Sequence, residues 1–329
     1  MRYFVCFIIL IVLSFWVLGI GRYALNHADI LNILMVALGL QEGEIEPTLA
    51  YVIFDVRLPR VILAIFVGAS LGIAGASFQA IFRNPLASPD ILGVSSGTGF
   101  GAALALLLGF GLYALTLSAF LFGILTLVLT LFIARDSNNR MMIILGGIII
   151  SALFQAFISL LKYLADPQDT LPTITYWLLG SLSVHDSGQL FFCCLGMLLG
   201  GIVLFVYRWK HNLLMLDELE ARSLGLNIAR IRIVLIFAST LIVACVVSLC
   251  GIIGWVGLII PHIARLLCSS NTASVFPLSV LIGAIFMLII DTISRSLSAE
   301  EIPISILSAI VGAFFFLVIL YRSKGVMKL

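Results

Sequence analysis

The chain has 329 residues, of which 62% are hydrophobic and only 10% charged, and its mean hydropathy is +1.23. A soluble domain is typically about half apolar and about a quarter charged. A water-exposed surface cannot be built from so few charged residues. Lipid must therefore cover most of the surface of this protein. The formal net charge of +2 gives no sign of nucleic-acid binding. We therefore predict a single transmembrane domain over residues 1–329.

The apolar runs predict an all-α polytopic protein with about ten transmembrane helices. A bilayer core about 30 Å thick requires about 20 apolar residues per helix. Two stretches are too long for one helix each, so we place a turn at Gly109–Gly111 and a break at Gly251 and Gly254. Without those divisions the count falls to eight. The first run has no cleavage site after it, which favours a retained helix over a signal peptide. The predicted spans are 3–20, 61–82, 91–109, 112–134, 141–162, 188–207, 233–250, 252–267, 274–290 and 303–321.

Lysine and arginine predict the orientation, because they are enriched in cytoplasmic loops. With ten spans and both termini inside, thirteen of the 18 basic residues lie in inner segments. Three of the outer ones, Arg57, Arg60 and Arg295, sit on the side where arginine is disfavoured and so need a specific role. The longest inner loop, 208–232, contains a helix-forming stretch that stops at Gly225. We expect a short helix on the cytoplasmic face there, with a solvated connector as the alternative.

The sequence lacks a source of energy of its own for transport. Ion-coupled carriers place titrating side chains inside their helices, and the predicted spans contain essentially none. The chain also has no GxxxxGK[ST] phosphate-binding loop. Active transport would therefore require a separate ATPase subunit. The six cysteines show no metal-binding spacing, and we expect no cofactor or metal to be bound by this chain.

Several motifs occur together in one order along the chain. They are Arg57–Arg60, Gly75–Gln79, Arg83–Gly93 (Arg-Asn-Pro-Leu-Ala-Ser-Pro-Asp-Ile-Leu-Gly), Trp177–Ser181, Ala221–Gly225, Gly257–Arg265 and Asp291–Arg295. This set resembles the signature of FecCD-type permeases, the transmembrane subunits of ABC importers for iron–siderophores, haem and cobalamin. The resemblance covers residues 57–321. Each motif alone is weak, but their order is specific.

The resemblance implies a type II ABC importer permease fold and a larger complex in the bacterial inner membrane, with both termini cytoplasmic. The implied partners are two cytoplasmic ATPase subunits that use ATP and Mg, a periplasmic substrate-binding protein and a second permease copy, identical or paralogous. The implied function is import of an iron–siderophore or related metal chelate from periplasm to cytoplasm, and the chain itself would not be an enzyme. The alternatives are a cobalamin, haem or molybdate permease of the same fold, an ion-coupled secondary carrier, and a non-transporting membrane scaffold.

The resemblance also implies roles for individual residues. Arg57, Arg60 and Arg295 would dock glutamates of the binding protein, for which the planar guanidinium is well suited; binding of headgroup phosphate is the alternative. The coupling contacts to the ATPase would be made by Glu218, Ala221, Leu224 and Gly225. The signature residues near the transport pathway would be Asn84, Pro85, Gly93, Gly257 and Pro261.

Overall fold

The computed structural model describes most of the chain: residues 1–21, 23, 25–43, 45–135, 139–184, 186–214, 227–269, 271–298 and 300–326. Over these residues it is all-α. A π-helical turn, Val52–Arg57, joins α3 to α4, and a 3-10 turn, Pro89–Leu92, precedes α5. The helices are α1 (Arg2–Gly19), α2 (His27–Ala37), α3 (Pro47–Tyr51), α4 (Leu58–Ile81), α5 (Val94–Leu107), α6 (Leu112–Ala134), α7 (Arg140–Leu164), α8 (Thr170–Leu178), α9 (Ser187–Val206), α10 (Arg208–Leu214), α11 (Ile228–Cys250), α12 (Val256–Leu267), α13 (Thr272–Ser296) and α14 (Ile304–Val326).

Each predicted span coincides with one of these helices, which confirms the all-α prediction. Within the described ranges, seven helical segments are long and apolar enough to cross a membrane, while α2, α5, α12 and the first part of α14 are shorter apolar helices. The turn predicted at Gly109–Gly111 separates α5 from α6, and the break predicted near Gly251 separates α11 from α12. Glycine is required at the break: Gly251 has φ +72°, and a Cβ there would overlap the carbonyl oxygen of Trp177.

The second predicted span begins earlier than expected. The helical stretch that contains α4 runs without interruption over Pro47–Ile81, 35 residues instead of a span starting at 61. Pro47 and Pro59 lie in the first turns of α3 and α4, where a missing backbone N–H costs least. Arg57 and Arg60 therefore lie on a helix and not in a loop, which fixes the direction of both side chains.

Helices α4 and α11 form the centre of the bundle. In their most apolar windows, 78% and 72% of the residues are buried, against 11% for α1. Helix α4 packs on α13, α12, α9 and α11, whereas α1 packs mainly along α13 at the edge. A helix that is apolar all round and buried is a core helix; α1 is equally apolar but presents its surface to the surroundings, where lipid would lie.

Glycines let α4 approach two neighbours with backbone in contact. A Cβ at Gly68 would overlap the carbonyl of Gly283 in α13, and one at Gly75 would overlap the carbonyl of Gly257 in α12. Such close crossings are typical of membrane helices, where small residues replace the hydrophobic effect as the basis of association.

The interruption between α11 and α12 is paired with other interrupted backbone. The Ser181 amide donates to the Cys250 carbonyl at 2.8 Å, and the Ile304 amide donates to the Gly180 carbonyl at 3.2 Å. The hydroxyl of Ser305 donates to the Leu179 carbonyl at 2.6 Å. Non-helical backbone within a membrane protein must find such partners, because lipid supplies none.

Candidate functional sites at the two ends of the bundle

The structure separates the arginines of the motifs, as far as they fall among the described residues, into two groups at opposite ends of α4. Arg57, Arg60 and Arg295 lie together at its beginning, which we call the arginine cluster. Arg83 and Arg265 lie together at its end, in what we call the inner cleft. Arg2 belongs to the second end, since its guanidinium donates to the Leu267 carbonyl. The grouping agrees with the predicted alternation of outer and inner segments; which end faces the cytoplasm stays a prediction.

Arg60 is the centre of the arginine cluster and is almost completely paired. Its Nε donates to Asp291 Oδ1 at 2.8 Å, while Nη1 and Nη2 donate to the two carboxylate oxygens of Glu301 at 2.7 and 3.0 Å. Asp291 is 1% exposed, and its other oxygen lies 3.5 Å from Nε of Arg295. The Glu301 side chain is 39% exposed. The buried carboxylate of Asp291 thus bridges Arg60 and Arg295. The partly exposed carboxylate of Glu301 binds the two terminal nitrogens of Arg60.

Arg57 and Arg295 bind the end of α1. Arg57 donates to the carbonyls of Leu18 and Tyr23, and Arg295 donates to those of Val17 and Ile20 at 2.9 and 2.6 Å. The last carbonyls of a helix have no intrahelical donor, and cations are favoured beside them. These two arginines therefore attach α1 to α4 and α13. Sequence reasoning missed this role, because nothing local in the sequence links α1 to residues far along the chain.

The arginine cluster borders a cleft of about 250 Å³. Its lining includes the three arginines, Glu301, Tyr23 and Gly21. The structure therefore brings together all three predicted docking residues. It also brings in Asp291 and Glu301, to which the sequence analysis gave no site role. The i, i+4 spacing of Asp291 and Arg295 on a helix was the available signal for that pair.

The five signature residues fall into different environments. Asn84 and Pro85 line the inner cleft, and Gly93, at φ +74°, ends the 3-10 turn and begins α5 against α7. Gly257 packs under α4 and beside Pro89. Pro261 is buried inside α12. The predicted group is thus split: two residues line a cleft, and three set how α5 and α12 pack.

The inner cleft is a second cavity of about 250 Å³, formed where α4 and α12 end and α13 begins. Arg265, in the last turn of α12, donates to Gln79 Oε1, and Gln79 in turn donates to the Leu258 carbonyl at 3.2 Å. Arg83 is exposed and uses Nε to donate to the Leu214 carbonyl at 2.9 Å. Gln79 is 4% exposed, so it fixes Arg265 from the buried side.

A buried histidine adjoins this end of the bundle. His211, in the short helix α10, is fully buried, with Nδ1 3.0 Å from the Tyr207 carbonyl and Nε2 2.9 Å from the Ser77 hydroxyl. Its ring lies 4.6 Å from that of Phe276. Burial lowers the pKa of His211 to about 4, so this side chain is a neutral packing element near pH 7. The sequence analysis did not single it out.

The predicted coupling residues Glu218, Ala221, Leu224 and Gly225 lie outside the described residues. The described part of the loop 208–232 begins with α10 and resumes before α11. Helix α10 is tied to the bundle through Thr272, whose hydroxyl donates to the Arg208 carbonyl at 2.7 Å. The loop therefore starts from a fixed position beside the inner cleft.

Comparison with known proteins places the chain in a family. The model of the FecCD transport family matches residues 7–322. The chain is 46% identical, over 96% of its length and 94% of the relative's, to the molybdate import system permease protein MolB of Haemophilus influenzae. It is 37% identical, over 90% of its length and 87% of the relative's, to the Fe(3+)-citrate import system permease protein YfmE of Bacillus subtilis.

A solved structure shows the same fold. An inward-facing conformation of a metal-chelate type ABC transporter superposes with a TM-score of 0.89 at 43% identity, covering 98% of this chain and 99% of that one. The chain belongs to the FecCD transport family, as its motifs predicted, and is a multi-pass permease of the ABC importer class. Its relatives are permease subunits and not enzymes.

Proposed function

We propose that this permease imports molybdate or a similar tetrahedral oxyanion. The observation that carries the proposal is the 46% identity to a molybdate permease across almost the whole of both chains. The sequence analysis favoured an iron chelate and kept molybdate as an alternative. Similarity over 96% of the chain now favours the alternative, because the iron-citrate relative is 37% identical over a smaller share.

In the proposed complex, this permease has three kinds of protein partner. Two cytoplasmic ATPase subunits hydrolyse ATP with Mg, a second permease copy completes the pathway, and a periplasmic protein delivers the cargo. The chain lies in the bacterial inner membrane with both termini cytoplasmic. ATP binding moves the ATPases, which act on the 208–232 loop through Glu218, Ala221, Leu224 and Gly225. The family membership supports this assembly.

The periplasmic protein docks at the arginine cluster in this proposal. The cluster carries three positive charges against the two of Asp291 and Glu301, which leaves an excess that attracts carboxylates. Glu301 is the accessible member, so a partner carboxylate reaches the fork of Arg60 by displacing it. Arg57 and Arg295 contribute charge while they hold α1.

Uptake in proteoliposomes tests the substrate. The permease, reconstituted with its ATPase and binding protein, should accumulate molybdate when ATP is inside, and a ferric chelate should not compete. A partner ATPase without its phosphate-binding lysine is the matched control and should abolish uptake. Uptake of the ferric chelate with no molybdate uptake would overturn the proposal in favour of iron transport.

The same vesicles separate this function from an ion-coupled carrier. An uncoupler that dissipates the proton gradient should leave molybdate uptake intact as long as ATP is maintained. Loss of uptake under these conditions would establish secondary transport instead.

Charge reversal tests the docking role. The triple variant Arg57→Glu, Arg60→Glu, Arg295→Glu also disturbs α1, so the single variant Glu301→Gln accompanies it. The triple variant should lose binding of the periplasmic protein while retaining the ATPase, and Glu301→Gln should bind that protein more tightly. Normal docking by the triple variant, or weaker docking by Glu301→Gln, would contradict the assignment.

A further inference from the structure

We propose that the inner cleft binds the cargo oxyanion as it leaves the permease, with Arg83 and Arg265 as its charged ligands. This inference rests on the proposed function and adds a site to it. The cleft is a cavity of about 250 Å³, and two arginines line it. None of the described residues that line it is acidic; the polar ones are Gln79, Arg83, Asn84, Arg265 and Thr272.

The arginines set the sign of the cleft. Helices α4 and α12 end beside it and α13 begins there, so two negative helix ends and one positive end sum to about −0.5 charge. Two full positive charges exceed that by a wide margin. Arginine pairs with oxyanions through parallel N–H donors, whereas a metal cation would be repelled. The cleft therefore suits an anion.

The positions of the donors are set by neutral contacts. Gln79 accepts from one terminal nitrogen of Arg265 and anchors it to the Leu258 carbonyl. Among the described residues, Arg83 is held through Nε alone, and both of its terminal nitrogens are left to bind a ligand. Asn84 accepts the Leu86 amide with its side-chain oxygen at 2.9 Å, so its amide nitrogen is left to donate. The acceptors that orient Arg83 and Arg265 are uncharged, so they do not cancel the positive charges of the two arginines.

The backbone of Arg83 supports a functional position. Arg83 has φ +50°, a left-handed backbone conformation that residues other than glycine rarely adopt. This backbone conformation destabilises the folded state by about 1–2 kcal/mol and persists where the surrounding structure holds it in place. Here Arg83 follows the end of α4, and its side chain donates from Nε to the Leu214 carbonyl.

The experiment measures oxyanion binding by the permease–ATPase complex in nanodiscs of zwitterionic lipid, with ADP present to fill the nucleotide sites. Equilibrium dialysis against molybdate should show a saturable site. Arg83→Gln and Arg265→Gln should each weaken its affinity about tenfold, the loss expected for one charged hydrogen bond. Lys210→Gln removes one positive charge at the same end, where Lys210 is exposed and stacks on Tyr207, and should leave the affinity unchanged.

A further arm identifies the source of the anion. Nanodiscs that contain anionic phospholipid should still bind molybdate, which shows that the site takes a free oxyanion. Complete loss of molybdate binding in them would assign the cleft to lipid headgroup phosphate and overturn the proposal. Arg83 is exposed, so Arg83→Gln should fold even if Arg265→Gln does not.

The outcomes separate this inference from the proposed function. If the wild type imports molybdate but Arg83→Gln binds and transports it as well as the wild type, only the cleft assignment fails. If the wild type neither imports nor binds molybdate, both are overturned.

Discussion

The two ends of α4 use arginine in opposite ways. In the arginine cluster, Arg60 meets two carboxylates, and Arg57 and Arg295 meet the carbonyls at the end of α1. In the inner cleft, the acceptors that Arg83 and Arg265 have among the described residues are all neutral. The same side chain thus stabilises the fold at one end and leaves a positive potential at the other. Composition cannot distinguish these cases, because the difference lies in the partners.

Burial explains why the difference matters. Arg60 and Asp291 are 9% and 1% exposed, so neither could remain charged at low cost without the other. Arg83 is exposed to solvent, so its charge costs little and remains available to a ligand. We expect mutations of the buried residues of the arginine cluster to lower stability in addition to any effect on docking, and mutations in the inner cleft to act mainly on binding.

The largest effect should come from removing the buried carboxylate of the arginine cluster. Asp291→Ala leaves Arg60 and Arg295 without their shared counter-charge, and loss of one member of a buried pair costs about 3–5 kcal/mol. Reversible unfolding in mixed micelles should show this loss. The control is Asp55→Ala, which removes an exposed carboxylate from the helical stretch that carries Arg60 and should cost less than about 0.5 kcal/mol. Equal losses would contradict the role of Asp291 as the buried counter-charge that Arg60 and Arg295 share.

Acid should lower the free energy of unfolding through His211, which lies at the same end of the bundle as the inner cleft. Its pKa is lowered to about 4 by burial, against about 6.5 in the unfolded chain. Between these values the unfolded chain binds a proton that the folded protein does not, so stability falls as pH falls through this window. At pH 5 the loss is about 2 kcal/mol. The difference in unfolding free energy between pH 7.5 and pH 5 should therefore shrink in His211→Gln; an unchanged difference would show that His211 is accessible to protons in the folded state.

The smallest effect should come from the exposed carboxylate of the arginine cluster. Glu301 binds Arg60 through two hydrogen bonds, but its side chain is 39% exposed. Solvent screens such pairs, so Glu301→Gln should cost at most about 1 kcal/mol. The same micelle unfolding assay measures it. A loss as large as that of Asp291→Ala would mean that the loop carrying Glu301 closes over the cluster and excludes water.

Much of the helical framework was predictable. Lipid requires about 20 apolar residues per span, and that rule located the long apolar helices of the described chain, together with the turn at Gly109–Gly111 and the break at Gly251. It placed Arg57 and Arg60 outside the second span because charged residues end an apolar run. The structure continues the helix through them, since Asp291 and Glu301 supply charge partners that hydropathy does not register.

The candidate sites were predictable as sets of residues but not as arrangements. The motifs grouped Arg57 with Arg60, and the alternation of loops put Arg295 at the same end. The partners of these arginines come from α1 and from the segment before α14, each more than 200 residues from one of the arginines that it contacts. Gln79 stood in a motif, but only the packing of α12 against α4 shows that it orients Arg265.

By itself, the sequence determined that lipid is the solvent, where the chain crosses it and which family it belongs to, because these depend on local apolar runs and ordered motifs. Only the tertiary structure decided which arginines are neutralised and which remain free to bind. That depends on carboxylates and carbonyls brought from distant segments by the packing of α4, α12 and α13. At Arg60 these segments supply a buried carboxylate, and at Arg265 they supply an amide.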